Sequence, residues 1–513
     1  MKNIIIALFI AAAPASLCAE QWKILGTRPM GMGGAFVAVA QGPIAQYWNP
    51  GGLVKSSANV SGMELPVGVM AEFTGDIMKN ASAIGDMAQK FSAIQSAQDN
   101  GTSINADQIA AFAKTLSLIS DMNEPGKGVL AEVAGGANFK FSKVALSVNN
   151  FTSVGLNPFI DTANIGLDTN GSNLSGVNFT GANQTNTSFD SAETTLDSAI
   201  NTIGYSNLET LICGAANCLN TEQGITNQTT FIYALINKAA ADGLSEAQIN
   251  EAANTLSQYA ADVAPMITAA ASGNSYYNNT SNLNVVGASF VEIAAGYAWN
   301  VDKWLHGLSV GGNIKMINGR TTNTTFRFLS ESDTADSITL EDMKSSWQPA
   351  VDLGLMWDVN RTYPKLPLHP KVGFVMRNIN SPSFDVENAS DYDLDRQARI
   401  GFALNPAKFW TLALDLDVTK NKTPVDGFDS RQLCMGTEIN IFNRKAFNIP
   451  LRAGLMKNLA EKDSKMAYTL GTGLNLLYMH FDVSGVVSTE KTTMDDTDIP
   501  TKLGVAASFG LLF

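Results

Sequence analysis

Charge is scarce in this chain. Only 16% of its 513 residues are charged, and histidine is nearly absent, with three in all. Acidic residues outnumber basic ones, 47 to 34, for a net charge of −13. That balance excludes nucleic acid as a partner, since binding it needs a basic surface. Cysteine is equally sparse, at four residues. Cys18 falls in the N-terminal leader. Cys213 and Cys218 stand close together in a polar region and are the disulfide candidate in an oxidising compartment. Their C-x4-C spacing is not the redox C-x-x-C, so thiol oxidoreductase chemistry is not expected. No G-x-S-x-G elbow is expected, no H-E-x-x-H and no P-loop occurs, and no nucleophile or metal-ligand constellation emerges. His306 and His369 fall in expected turns, and His480, two residues from Asp482, reads as structural. We therefore expect no enzyme activity, no cofactor, no metal and no catalytic residue. The acidic stretches Glu331–Asp336 and Asp495–Asp498 read as solvated loop charge. Beyond the leader, no stretch of about twenty apolar residues is present, so no transmembrane helix is expected.

What is present is alternation. In the final segment Leu503, Val505, Ala507, Phe509, Leu511 and Phe513 share one face of a strand, and Lys502, Gly504, Ala506, Ser508 and Gly510 share the other. A strand has period two, so one face is apolar and the other polar or small. The chain starts with a basic Met1-Lys2-Asn3, an apolar stretch from Ile4 to Ala13, and an expected cleavage after Ala19. A leader and a closing strand that ends on an aromatic indicate an outer-membrane β-barrel in a Gram-negative-type (diderm) bacterium. Its partners would be outer-membrane lipid and lipopolysaccharide, together with the barrel-assembly machinery acting through the strand that ends at Phe513.

The same alternation predicts strands near 58–73, 128–142, 144–155, 287–299, 307–329, 347–358, 370–380, 395–404, 410–420, 430–441, 450–459, 465–476, 479–489 and 501–513, about fourteen in all. Connections on one side are short and those on the other long, the two longest being 74–127 and 156–286. Both of those carry apolar residues at helical spacing, over 76–98, 105–121, 188–202, 228–241 and 244–270, and so read as helical insertions into outer loops. Residues 156–187 read as an extended polar stretch. The division is a signal peptide over 1–19, an N-terminal segment over 20–57 and the barrel over 58–513.

Face assignment follows from cost. A charge on the lipid face costs roughly 2–4 kcal/mol near the midplane, so charged strand residues belong inside. The lumen is thus expected to be lined by Glu292, Lys315, Asp352, Arg377, Arg399, Asp415, Asp417, Glu438, Arg452, Asp482 and Lys502. Mixed signs at strand spacing suit ion pairs across the wall; a path for a charged substrate is the other reading.

Gly26-Thr-Arg-Pro-Met-Gly-Met-Gly-Gly-Ala-Phe-Val-Ala-Val-Ala40, followed by Gln46-Tyr-Trp-Asn-Pro-Gly-Gly-Leu53, resembles the N-terminal signature of FadL-type outer-membrane proteins. Val372–Phe384, Arg399–Ala403, Leu414–Asn421 and Leu451–Leu459 resemble the conjugal-transfer TraF-like branch of that group. The branch shares its name with an unrelated thioredoxin-like protein, whose cysteine motif is missing here. The resemblance implies a fourteen-stranded barrel, passive uptake of a small hydrophobic or amphipathic molecule, and residues 20–57 folded into the lumen as a plug. Gly31, Gly33 and Gly34, which permit tight backbone packing, and the turn residues Asn49 and Pro50 are its gating candidates. An ordinary N-terminal cap is the plainer alternative. If residues 20–57 plug the lumen, bulky residues at Gly33 and Gly34 should disturb the plug and spare the wall. A structural or adaptor barrel of a conjugation or secretion assembly, docking through the helical insertions, is the competing function.

Overall fold

The computed structural model describes residues 18–54, 61–78, 117–161 except 119, 189–272 except 214–216, 280–327, 344–385 and 391–512, the last range without 445–446, 463 and 495–496. Fourteen antiparallel strands close into one barrel. They are β1 Gly62–Thr74, β2 Gly128–Phe141, β3 Val144–Phe159, β4 Asn282–Asn300, β5 Leu308–Arg327, β6 Lys344–Asp358 and β7 Lys371–Arg377, then β8 Gln397–Ala407, β9 Trp410–Asp417, β10 Gln432–Arg444, β11 Phe447–Asn458, β12 Ala467–Leu476, β13 Met479–Ser488 and β14 Lys502–Leu512. Each strand pairs with its neighbours in sequence, and β1 pairs with β14, with Leu65 opposite Phe509, to close the seam. The expected fourteen-stranded barrel is the observed one.

Alternation decides which way each side chain points. On β9, Leu412, Leu414 and Leu416 face outward while Asp415 and Asp417 are buried inside. Around the outside, Leu470 is 70% exposed, Val505 61% and Val483 57%. Such a surface is stable only in hydrocarbon, and closure leaves no unpaired strand edge there. Trp299, Trp304, Tyr363 and Tyr478 are exposed near the end with short turns, and Trp347 and Tyr468 towards the other, as interfacial aromatic girdles require. The protein is an outer-membrane barrel of a Gram-negative bacterium. No helix among the described residues is long and apolar enough to cross a membrane.

Connections such as 142–143 and 477–478 mark the periplasmic end, and the long 75–127 and 160–281 lie at the outer end. The second of these carries a helical unit with its own core: α1 Asp190–Ile203, α2 Tyr205–Cys213, α3 Cys218–Gln223, α4 Gln228–Ala241 and α5 Glu246–Ala271. Leu219, Ile225, Phe231, Ile232 and Ile249 meet in its centre. Asn227 and Thr230 form a reciprocal capping box at the start of α4. Ser245 and Gln248 do the same at α5, through Ser245 N–H to Gln248 Oε1 (3.0 Å) and Gln248 N–H to Ser245 Oγ (3.4 Å). Cys218 is disulfide-bonded; the Cys213 side chain lies outside the described residues. Most of the helices expected over 76–98 and 105–121, most of the polar stretch 156–187, the acidic stretch Glu331–Asp336, residues 495–496 and Phe513 also lie outside them.

Candidate functional site: the occupied lumen

Between Gln21 and Val54 every residue is buried except Ile24, Arg28, Gln41 and Gly42. The segment joins the barrel core. Trp22, Phe36, Tyr47 and Trp48 share one cluster with inward residues of the wall such as Ala134, Phe151, Met356 and Val375. At its start, Cys18–Glu20 runs parallel to Lys420–Lys422 in an outer connection.

From Thr27 the segment follows the inner wall around the barrel. Thr27 Oγ1 lies 2.6 Å from Ser508 Oγ on β14. Thr469 Oγ1 on β12 donates to the Gly31 carbonyl (3.0 Å). Asp415 on β9 accepts the backbone N–H groups of Phe36 (2.7 Å) and Val37 (2.8 Å). Asn49 Nδ2 donates to the carbonyls of Val37 (3.1 Å) and, on β6, Leu355 (2.9 Å). On β5, Asn313 Nδ2 donates to the Gln46 carbonyl (2.9 Å) and Ser309 Oγ to that of Gly51 (2.8 Å).

Where the segment touches the wall, the wall is glycine. A Cβ at Gly471 would meet Gly31 Cα at 3.1 Å, and one at Gly373 the Val37 carbonyl at 2.7 Å. Cβ atoms at Gly436, Gly454, Gly311 and Gly354 would overlap Met32, Gly33, Pro50 and Asn49. Gly401 meets Ala38 N at 2.9 Å and Gly296 meets Gln46 Cγ at 3.2 Å. Eight strands, β4 to β8 and β10 to β12, thus each supply one inward glycine. Gly311–Gly354, Gly373–Gly401 and Gly436–Gly454 are direct cross-strand partners. On the segment side Gly33 and Gly34 have φ of +66° and +88°, values that β-branched residues do not tolerate.

The charged residues expected in the lumen are all buried inside it. Glu292 accepts from Arg377 (2.9 and 3.0 Å) and pairs with Lys315 (3.4 Å). Lys315 also pairs with Asp352 (3.0 Å), and Arg399 with Asp417 (2.5 Å). Glu438 takes Arg452 (2.7 Å) and Arg28 of the segment (2.8 Å). Arg452 reaches Asp482 (2.6 Å), and Lys502 pairs with Glu72 (2.8 Å). A further pair joins Lys23 of the segment to Glu132 on β2 (2.6 Å). Each carboxylate in these pairs has a cation, which offsets several kcal/mol of desolvation; Asp415 is in none of them and is held by backbone N–H groups of the segment.

Aromatic rings fill the middle. Trp22 stacks on Trp48 with centroids 6.1 Å apart, and Tyr47 stacks on Phe151 at 5.0 Å. The Arg377 guanidinium sits 4.0 Å over Tyr47, and that of Arg399 4.7 Å over Trp22. Tyr47 donates to the Lys23 carbonyl (2.7 Å), and burial pushes its phenol up to about 12. A cavity of about 10 Å³ between Trp22, Gly34, Arg399, Cys434 and Lys502 is at the lower limit for one water. A depression of about 640 Å³ lined by Leu451, Leu470, Val483 and Val505 lies on the lipid side of the wall, outside the lumen.

Sequence reasoning did not single out the wall glycines, Lys23, Glu132 or the aromatic centre. A signal existed for the glycines, since each sits at an inward position of its strand. The expectation of no G-x-S-x-G is wrong, because Gly307-Leu308-Ser309-Val310-Gly311 spells it. There Ser309 is buried on a strand with its hydroxyl engaged by the Gly51 and Met356 carbonyls, and it meets no histidine among the described residues. His480 is buried against Gly510, and Asp482 is taken by Arg452. No group of three metal-ligating side chains occurs among the described residues.

A family profile described as "F plasmid transfer operon, TraF, protein" matches residues 159–417. The chain belongs to that family. No curated protein sequence matches this TraF-family chain. Solved structures similar to it include the CymD monoaromatic hydrocarbon channel, at 11% identity and a TM-score of 0.41 over 95% of this chain and 97% of that one. The toluene transporter TodX of P. putida is similar at 10% identity and 0.38 over 95% and 98%. A Pseudomonas aeruginosa FadL homologue is similar at 6% and 0.37 over 97% and 99%.

Proposed function

We propose that this chain is an outer-membrane conduit through which a small hydrophobic or amphipathic molecule diffuses passively, past a plug formed by residues 20–57. The observation that carries the reading is the width of the barrel. A wall of eight strands is filled by its own side chains. This one has fourteen, and a separate segment shares an aromatic cluster with its inner wall; in this reading that centre is the closure. Passage past that centre needs rearrangement of Trp22, Tyr47 and Trp48, with Gly31, Gly33, Gly34, Asn49 and Pro50 holding the plug to the wall. Delivery to the membrane would use the barrel-assembly machinery and the strand ending at Phe513. The test is flux of a small apolar solute into vesicles carrying the reconstituted protein. Trp48→Ala, which removes the ring at the centre and leaves every wall residue in place, should raise flux. Absence of flux from both the wild type and the variant, with folded barrel confirmed, would overturn the proposal.

A second reading, an adaptor barrel in a conjugation or secretion assembly, is favoured by one observation: the helical unit over 190–271 has its own core and stands on the outer end. Against it, the described residues of that unit expose no large hydrophobic side chain. Removing residues 189–272 separates the readings. A conduit keeps its flux, and an adaptor loses its assembly function.

A further inference from the structure

We propose that residues 26–54 are an internal folding template: the barrel closes around them, and their backbone stays against the wall after folding. This role concerns assembly and does not depend on what passes through the lumen.

Three features carry the inference. The first is steric. The wall leaves room for the backbone of the segment by placing a glycine at each of eight contact points, and with the segment gone those points would be voids along the inner wall. Protein interiors do not sustain such voids without collapse or loss of stability. The second is electrostatic. Asp415 is 0% exposed, and its Oδ2 takes two N–H donors from the segment. Glu438 loses one of its two cations without Arg28. A wall closed on its own would hold these acidic groups with fewer partners in a confined space. The third is topological. The segment bridges the closing seam, with Thr27 bonded to Ser508 on β14 and Gly26 beside Glu64 on β1. It immediately precedes β1, so it is synthesised before any wall strand and is available when the seam forms.

The wall and the segment are therefore complementary in shape and charge along most of the circumference, a fit that threading a preformed lumen would not readily reach. The free thiol of Cys434 reports on it directly, since Cys434 is buried and Gly34 lies against its sulfur.

The experiment uses the full chain with a protease site inserted between Val54 and Gly62. Cut after folding, the fragment should stay with the barrel in detergent, and Cys434 should resist maleimide. The cut protein is then unfolded in urea, freed of the fragment and refolded. Its heat-modifiable band should fall about ten-fold or more, the effect of stranding several buried groups. Fragment present from the start of refolding should restore the band, and fragment added afterwards should not. Release of the fragment from the native cut protein, equal refolding without it, or rescue by late addition would each overturn the template. As a second measurement, Gly454→Val places a side chain against Gly33 and should block folding. Gly485→Val on the lipid face, whose nearest neighbour is the Gly504 carbonyl at 3.5 Å, should not. Equal yields from these two variants would show that the close fit does not govern assembly.

Discussion

Asp415→Ala isolates the hold of the wall on the inner segment. Asp415 is buried, and one oxygen accepts both the Phe36 and Val37 N–H groups, at 2.7 and 2.8 Å. Hydrogen bonds to a charged partner contribute about 1.5–3 kcal/mol each, and alanine also leaves two buried donors without an acceptor. Arg399 keeps Asp417, so no cation is stranded. The expected loss is about 3–5 kcal/mol. Asparagine keeps a carbonyl oxygen in place and loses only the charge assistance, so Asp415→Asn should cost about half as much. The assay is loss of the heat-modifiable form in lipid vesicles against urea. With a slope near 3 kcal/mol/M, alanine should lower the midpoint by about 1–2 M. Maleimide labelling of Cys434, adjacent to Gly34, should accelerate in the same order. The neighbouring Leu414→Arg acts through a different medium, putting a charge on lipid at about 2–4 kcal/mol, and should impair membrane assembly without speeding labelling of the folded fraction. A midpoint for Asp415→Ala equal to wild type, or an asparagine variant worse than the alanine one, would refute the reasoning.

Gly33→Val should reduce the yield of folded barrel, not merely loosen the segment, because its Cβ would stand 2.5 Å from the Leu455 carbonyl and 2.7 Å from that of Met435, both wall backbone; the heat-modifiable fraction measures this, and an unchanged yield would contradict the geometry. Arg452→Ala strips Glu438 and Asp482 of a shared cation and should cost about 3–5 kcal/mol. Arg28→Ala leaves Arg452 on Glu438 and should cost less, so urea midpoints in the reverse order would remove the assigned roles. Tyr47 titrates near pH 12 when folded against about 10 when unfolded, so its contribution is complete below about pH 10 and disappears as pH rises through 12. Alkaline unfolding followed by phenolate absorbance should therefore begin later in wild type than in a protein whose segment has been displaced, and coincident curves would count against burial of Tyr47.

Strand count, strand placement and barrel class were legible in the sequence because a lipid-facing wall enforces period-two alternation. On β9, Leu414 and Asp415 can exchange faces only by placing a charge in hydrocarbon. The same local logic reached the inward charges, since each face is fixed by its own strand. It did not reach their partners across the lumen. Glu438 and Arg452 meet on adjacent strands, but Arg28 joins them from 410 residues away in the chain. Nor did it reach the meaning of the wall glycines, because a glycine in a strand looks the same locally whether it makes a turn, a bulge or room for another backbone. The sequence by itself determined that this chain forms an outer-membrane barrel of about fourteen strands, through alternation that any segment carries within itself; closure fixed the number at fourteen. Only closure of the wall decided that residues 26–54 lie against one glycine on each of eight strands and that Trp22, Tyr47 and Trp48 meet Arg377 and Arg399 in the centre. Those contacts depend on bringing distant strands to one height, and no local pattern encodes that distance.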